Sequence, residues 1–145
     1  MGIEKLQQFV WDASKKTYAS SDSSLQISED DHSSTLPFED GDFRYHDNFF
    51  GGEPYGGREV VFFKEEPVWI MVYYGYVVPE FEDHDAVYAF LQKALRESTL
   101  EKPYRGPDNF TDGDLEYVNE VEGEFENFHG VEKIMHKGKV CWRIG

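Results

Sequence analysis

Hydrophobic residues fall at helical spacing in two stretches of the chain and at every second position in most of the rest. Ile3, Leu6, Val10 and Ala13 share one helical face, and Lys15 and Lys16 follow where cations suit the negative end of a helix dipole. This spacing predicts a helix from residue 3 to about 16. Val87, Phe90, Leu91, Ala94 and Leu95 predict a second from about 83 to 98, with Asp83 and Asp85 at its start and Lys93 and Arg96 near its end. Alternation marks the strands. From Asp42 onward, Phe43, Tyr45 and Phe49 point one way and Arg44, His46 and Asn48 the other. Further strands are expected at 58–64, 68–77, 115–122, 125–136 and 139–144. Residues 19–36 hold seven serines among acidic residues and read as a flexible loop. Residues 99–112, with Pro103 and Pro107, read as another.

The pattern repeats. Phe38-Glu-Asp-Gly-Asp-Phe-Arg-Tyr45 matches Phe110-Thr-Asp-Gly-Asp-Leu-Glu-Tyr117 at an offset of 72. After one inserted residue, Gly57, Glu59, Val61, Lys64, Val68 and Trp69 match Gly130, Glu132, Ile134, Lys137, Cys141 and Trp142. A helix precedes each block. The expected fold is therefore α+β, an internal duplication of a helix–strand–strand–strand unit. It would form one domain over 1–145, with pseudo-repeats at about 3–78 and 83–145. Two helices would accompany a mainly antiparallel six-stranded sheet. Features present in both halves read first as structural. Asp40-Gly41-Asp42 and Asp112-Gly113-Asp114 are turn sequences before strands. Asp47 with Asn119 and Glu59 with Glu132 fall in phase with inward-facing residues, and buried polar groups need partners. Paired across a pseudo-two-fold axis, these four could line one cavity; strand ends facing water are the plainer alternative. The first hairpin, over 58–64 and 68–77, is apolar on both faces, so helices, a partner subunit or a ligand should cover the second face.

Composition sharpens this. Aromatic residues make up 17% of 145, enough to build a core from 12 Phe, 9 Tyr and 3 Trp. The formal charge of −15, from 14 basic and 29 acidic side chains, argues against nucleic-acid binding, which rests on Lys and Arg. One cysteine, Cys141, allows no intrachain disulfide and suits a reducing compartment. No apolar run approaches the roughly 20 residues of a membrane helix, and the N-terminal residues lack the apolar core of a signal peptide. A cytoplasmic protein with no membrane partner is expected.

Motifs for chemistry are sparse. Gly51-Gly52-Glu53-Pro54-Tyr55-Gly56-Gly57 lacks the Lys and Ser or Thr of a phosphate loop and reads as a hairpin loop. The histidines show no zinc-ligand spacing. Cys141 lies within an expected strand, and no serine is tied to a histidine. No catalytic residue, metal site or cofactor is assigned. What remains is aromatic and acidic: Tyr45, Asp47, Glu59, Trp69, Tyr73, Tyr117 and Glu132. Rings beside carboxylates suit a cationic or aromatic ligand, though the same rings also describe an ordinary core.

Gly41-Asp42-Phe43-Arg44-Tyr45-x-Asp47, Phe50-Gly51-Gly52-Glu53, Glu59-Val60-Val61 and Pro67-Val68-Trp69-x-Met71-x-Tyr73-Tyr74-Gly75 resemble an uncharacterised bacterial domain family. Its members occur alone or behind an Xre-type helix-turn-helix. That segment is absent here, so the resemblance implies no DNA binding. It implies a sensing or partner-binding module. The doubled unit is also similar, with a permuted element order, to effector-binding domains like gyrase-inhibitory protein, a likeness of fold alone. The expected function is non-enzymatic binding or sensing of a small molecule by the seven residues above. The alternative is an acidic protein-interaction or dimerisation module of a regulatory system, and a homodimer would form through the first-half strands.

Overall fold

The computed structural model of the chain describes residues 2–17, 26–51, 54–79 and 81–145. The amphipathic stripes become helices α1 (Ile3–Lys16) and α2 (His84–Leu95), the second capped by Asp83, whose side chain accepts from the Ala86 N–H. The strands are β1 (Ile27–Ser28), β2 (Ser34–Asp40), β3 (Phe43–Phe50), β4 (Tyr55–Phe63), β5 (Glu66–Val77), β6 (Asn109–Asp112), β7 (Leu115–Glu124), β8 (Asn127–His136) and β9 (Lys139–Ile144). All pair antiparallel in one sheet of order β1-β2-β3-β4-β5-β9-β8-β7-β6.

The expected six-stranded sheet is therefore wrong: nine strands are present among the described residues. The three that sequence patterning missed are β1, β2 and β6. Each is short or polar, and β1 and β6 form the sheet edges, where alternation is weakest. β2 carries Pro37 and two carboxylates, but Leu36 and Phe38 still reach the core. The loop expected at 19–36 lies outside the described residues over 19–25, and its remainder supplies β1 and the start of β2. Gly52 and Glu53 of the expected hairpin loop also lie outside them.

Each half contains a meander of four strands, β2–β5 and β6–β9, with the short β1 added at the edge of the first, and the two meanders share their register. Asp47 faces Glu59 across β3 and β4 as Asn119 faces Glu132 across β7 and β8. Tyr45 faces Val61 as Tyr117 faces Ile134. Bulges fall at Val61/Phe62 and at Ile134/Met135. Gly41 and Gly113, both at φ 61°, turn β2 into β3 and β6 into β7, a conformation glycine adopts without strain.

Both helices cover one face. Phe9 of α1 stacks on Phe43 at 4.9 Å, and Phe90 of α2 meets Phe110 at 5.6 Å. Beneath them lie Tyr45, Val61, Trp69, Met71, Tyr73, Tyr117, Ile134 and Trp142, all buried. The halves join where β5 meets β9, through the strand pairs Gly75–Ile144, Tyr76–Arg143 and Val77–Trp142, with the Val78 N–H donating to the Cys141 carbonyl just beyond. Two backbone bonds between Tyr74 and Gly145 close this junction. Past that point β5 and β8 run on without a strand between them.

Gly75 permits the junction, since a Cβ there would sit 2.9 Å from the Arg143 carbonyl oxygen and 3.1 Å from the Tyr55 ring. Gly75→Val should cost about 1–3 kcal/mol through overpacking, read as a lower urea midpoint with little change in slope.

Candidate functional site

Four polar residues that alternation turns inward, Asp47, Glu59, Asn119 and Glu132, are all buried under the helices. Strand register brings them together from both sides of the junction. Tyr73, opposite Gly57 on the neighbouring strand, donates its hydroxyl to Asp47 Oδ1 at 2.6 Å. Tyr117 donates to Glu132 Oε1 at 2.5 Å. Glycine makes room for each ring: a Cβ on Gly57 would lie 2.8 Å from the Tyr73 hydroxyl oxygen, and one on Gly106 2.7 Å from that of Tyr117.

The segment between α2 and β6 adds the counter-charge. Arg105 donates Nε to Glu132 Oε2 at 2.8 Å, and both side chains are almost wholly buried. Its guanidinium stands 5.5 Å from the centre of the Tyr73 ring and beside the Tyr55 hydroxyl. Asn119 donates to the Gly106 carbonyl at 3.1 Å, and the Gly106 N–H donates to the Tyr117 hydroxyl at 3.2 Å, so the segment is pinned to β7.

One guanidinium thus serves three carboxyl groups. Glu59 is fully buried, and neither of its oxygens has a hydrogen bond of ordinary geometry. Burial first, then the charge of Asp47, pushes its pKa well above the usual carboxylate range. Arg105 and the Tyr45 hydroxyl pull it back only in part. Burial likewise pushes Asp47 up to about 6, against the lowering effects of Tyr73 and Arg105. Burial is also the first cause of the raised pKa of the Tyr55, Tyr73 and Tyr117 hydroxyls, so these remain neutral donors. Asp47 and Glu59 hold protons in a range where surface carboxylates have lost them.

Where β5 and β8 part, a slit of about 190 Å³ passes through the sheet. Met71, Tyr73, Arg105, Asn119, Phe128 and Glu132 line it, and it opens on the outer face beside Ile70 and Val72. Of the seven residues expected from sequence, Tyr73 and Glu132 line this slit. Tyr117, Asp47 and Glu59 stand behind them, and Tyr45 lies beside Glu59. Trp69 is apart: its indole stacks on Phe125 at 5.4 Å and donates Nε1 to the Phe125 carbonyl at 3.1 Å. Among the described residues, no group of three His, Cys, Asp or Glu side chains is arranged to hold a metal ion.

Sequence reasoning missed Arg105, which lies in a segment read only as a loop. The signal available was Pro103-Tyr104-Arg105-Gly106-Pro107, a stiff stretch without a carboxylate in a very acidic chain.

The architecture is that of a doubled antiparallel meander with a cluster of buried carboxyls at its centre. Over residues 47–145 the chain matches the family described as a domain of unknown function, DUF5680, and it belongs to that family. The matched segment contains every residue of the cluster except Tyr45. No curated protein and no solved structure matches the chain.

Because the folded state holds protons on Asp47 and Glu59 that the unfolded chain releases near pH 4, these groups weaken the fold as pH rises. For Asp47 the loss begins near pH 4 and is complete above about 6; for Glu59 it continues higher. The double variant Asp47→Asn, Glu59→Gln should therefore gain stability over the parent between pH 5 and 7.5, by up to a few kcal/mol. Urea unfolding of both proteins across that range measures the difference, and a constant difference would contradict this titration.

Proposed function

We propose that this chain is a small-molecule-binding domain whose ligand presents a positively charged group to the slit between β5 and β8. The observation that carries this reading is the charge imbalance behind the slit: three carboxyls share one guanidinium, and fully buried Glu59 has only the Tyr45 hydroxyl as a hydrogen-bonding neighbour. A fold selected for stability alone would gain by discarding such a group, since burying a carboxyl with so few partners costs stability. A cation at the mouth supplies the missing charge. Tyr73, Tyr104 and Phe128 surround it with ring surface, and Glu132 and Asn119 offer oxygens. The slit is smaller than the roughly 300–1,000 Å³ of drug-sized pockets, so it suits the charged end of a ligand, with the remainder outside. Cys141 takes no part, because its Sγ donates to the Ile134 carbonyl inside the core. The reading is one of binding by charge compensation.

The proton balance gives the test. A bound cation favours the ionised forms of Asp47 and Glu59, so binding releases protons and tightens as pH rises through 6. Titration calorimetry with methylguanidinium, butylammonium and choline, in buffers of different ionisation enthalpy, should show one cation binding with proton release. Affinity should be about tenfold higher at pH 7.5 than at 5.5. Glu59→Gln should leave the melting temperature unchanged or raised and reduce both affinity and proton release. Binding of acetate or methylphosphonate in place of every cation would assign the slit to anions at Arg105 and overturn the reading.

A further inference from the structure

We infer that the outer face of the sheet around β5 docks an acidic amphipathic segment of a partner protein. The helices cover only the inner face. On the outer face β5 presents Ile70, Val72, Tyr74 and Tyr76, with the first three 60%, 71% and 56% exposed. That stripe is about 20 Å long at about 3.3 Å per residue. It matches the apolar side of a helix of about 13 residues.

The surroundings of the stripe select the partner's charge. The chain carries −15, yet the outward positions of β3, β4, β8 and β9 hold Arg44, Arg58, Lys133 and Arg143 and no carboxylate. Arg58 stands beside Val72 on one flank. Arg143 stands beside Tyr76 on the other, with Lys133 next to it on β8. Arg44 lies over the Phe62 ring at 4.2 Å and pairs with Glu65. The positive field is felt within the face: after burial, the charges of Arg58 and Arg44 hold His46 below the usual histidine range. Along the strands, outward carboxylates return toward the edges, as Glu39 on β2 and Glu116, Glu120 and Glu122 on β7. Off the strands, Glu29, Asp30 and Asp31 share a pocket with Arg58, and Glu126 stands at the slit beside Ile70 and Val72. Among the described residues, Lys133 and Arg143 are therefore the cations with no carboxylate beside them on this face.

This arrangement fits a short anionic segment with apolar side chains. It does not fit a second copy, which would set cations against cations and add two charges of −15. An anionic membrane or a nucleic acid would extend past the cations onto the glutamate edges. A segment lying along β5 would also cross the slit mouth beside Ile70 and Val72.

The probe is a fluorescein-labelled helical peptide of leucine, alanine and glutamate, with leucines on one face. Controls are its glutamate-to-lysine counterpart and a scrambled acidic peptide without an apolar face. Fluorescence anisotropy should show saturable binding of the first that weakens with salt. The controls should bind at least tenfold more weakly. Val72→Asp and the pair Arg58→Glu, Arg143→Glu should each reduce affinity tenfold or more with the melting temperature held. All three sites are exposed, and circular dichroism checks that each variant folds. Failure to bind the acidic peptide, or equal binding of the lysine peptide, overturns the inference. So does tighter binding of a phosphatidylserine vesicle or a single-stranded oligonucleotide. Self-association in sedimentation that Val72→Asp abolishes would make the occupant a second copy and overturn it as well.

Discussion

The pairing of β5 with β9 is short, and that shortness shapes the rest of the molecule. Two meanders could have joined along the full 12 residues of β5. They join through three residue pairs instead, and β5 and β8 then diverge. The gap falls at the pseudo-symmetric centre of the sheet, where equivalent residues of both halves converge. Polar residues that would stand at separate places on two small sheets become a single cluster. Trp69 against Phe125 and Tyr104 against Phe128, the latter pair 3.9 Å apart, keep the parted strands packed.

Within that cluster, low dielectric decides which groups carry charge. Glu132 has a guanidinium, a tyrosine hydroxyl and short distances to both. Removing either partner would strand a buried charge, at a cost of about 3–5 kcal/mol for the ion pair. Asp47 has a tyrosine at 2.6 Å and a more distant guanidinium, while Glu59 has only the Tyr45 hydroxyl and the distant charge of Arg105. The three carboxyls are chemically alike, and their partners alone order them from ion-paired to protonated. Tyrosines suit this task because each brings a donor on a rigid apolar body.

The two faces of the sheet divide the remaining work. The inner face is closed by helices and holds the carboxyls. The outer face is open, and in an acidic protein it gathers cations around an apolar strand. The slit lies where they meet, lined by Ile70 and Val72 as well as by Tyr73 and Glu132.

Much of this was legible in the sequence. The helical stripes, the strands β3, β4, β5, β7, β8 and β9 and the inward phase of Asp47, Glu59, Asn119 and Glu132 follow from periods of 3.6 and 2, which side-chain geometry imposes locally. The outer strands were not legible, because β1 has two residues, β6 four and β2 a proline, too little alternation to outweigh turn chemistry. Nor was Arg105, since loop residues carry no period that reports burial. Local sequence determined which residues turn inward. Only the tertiary structure decided which of them meet, because the junction register, the divergence of β5 from β8 and the path of the Arg105 segment depend on contacts between residues far apart in the chain.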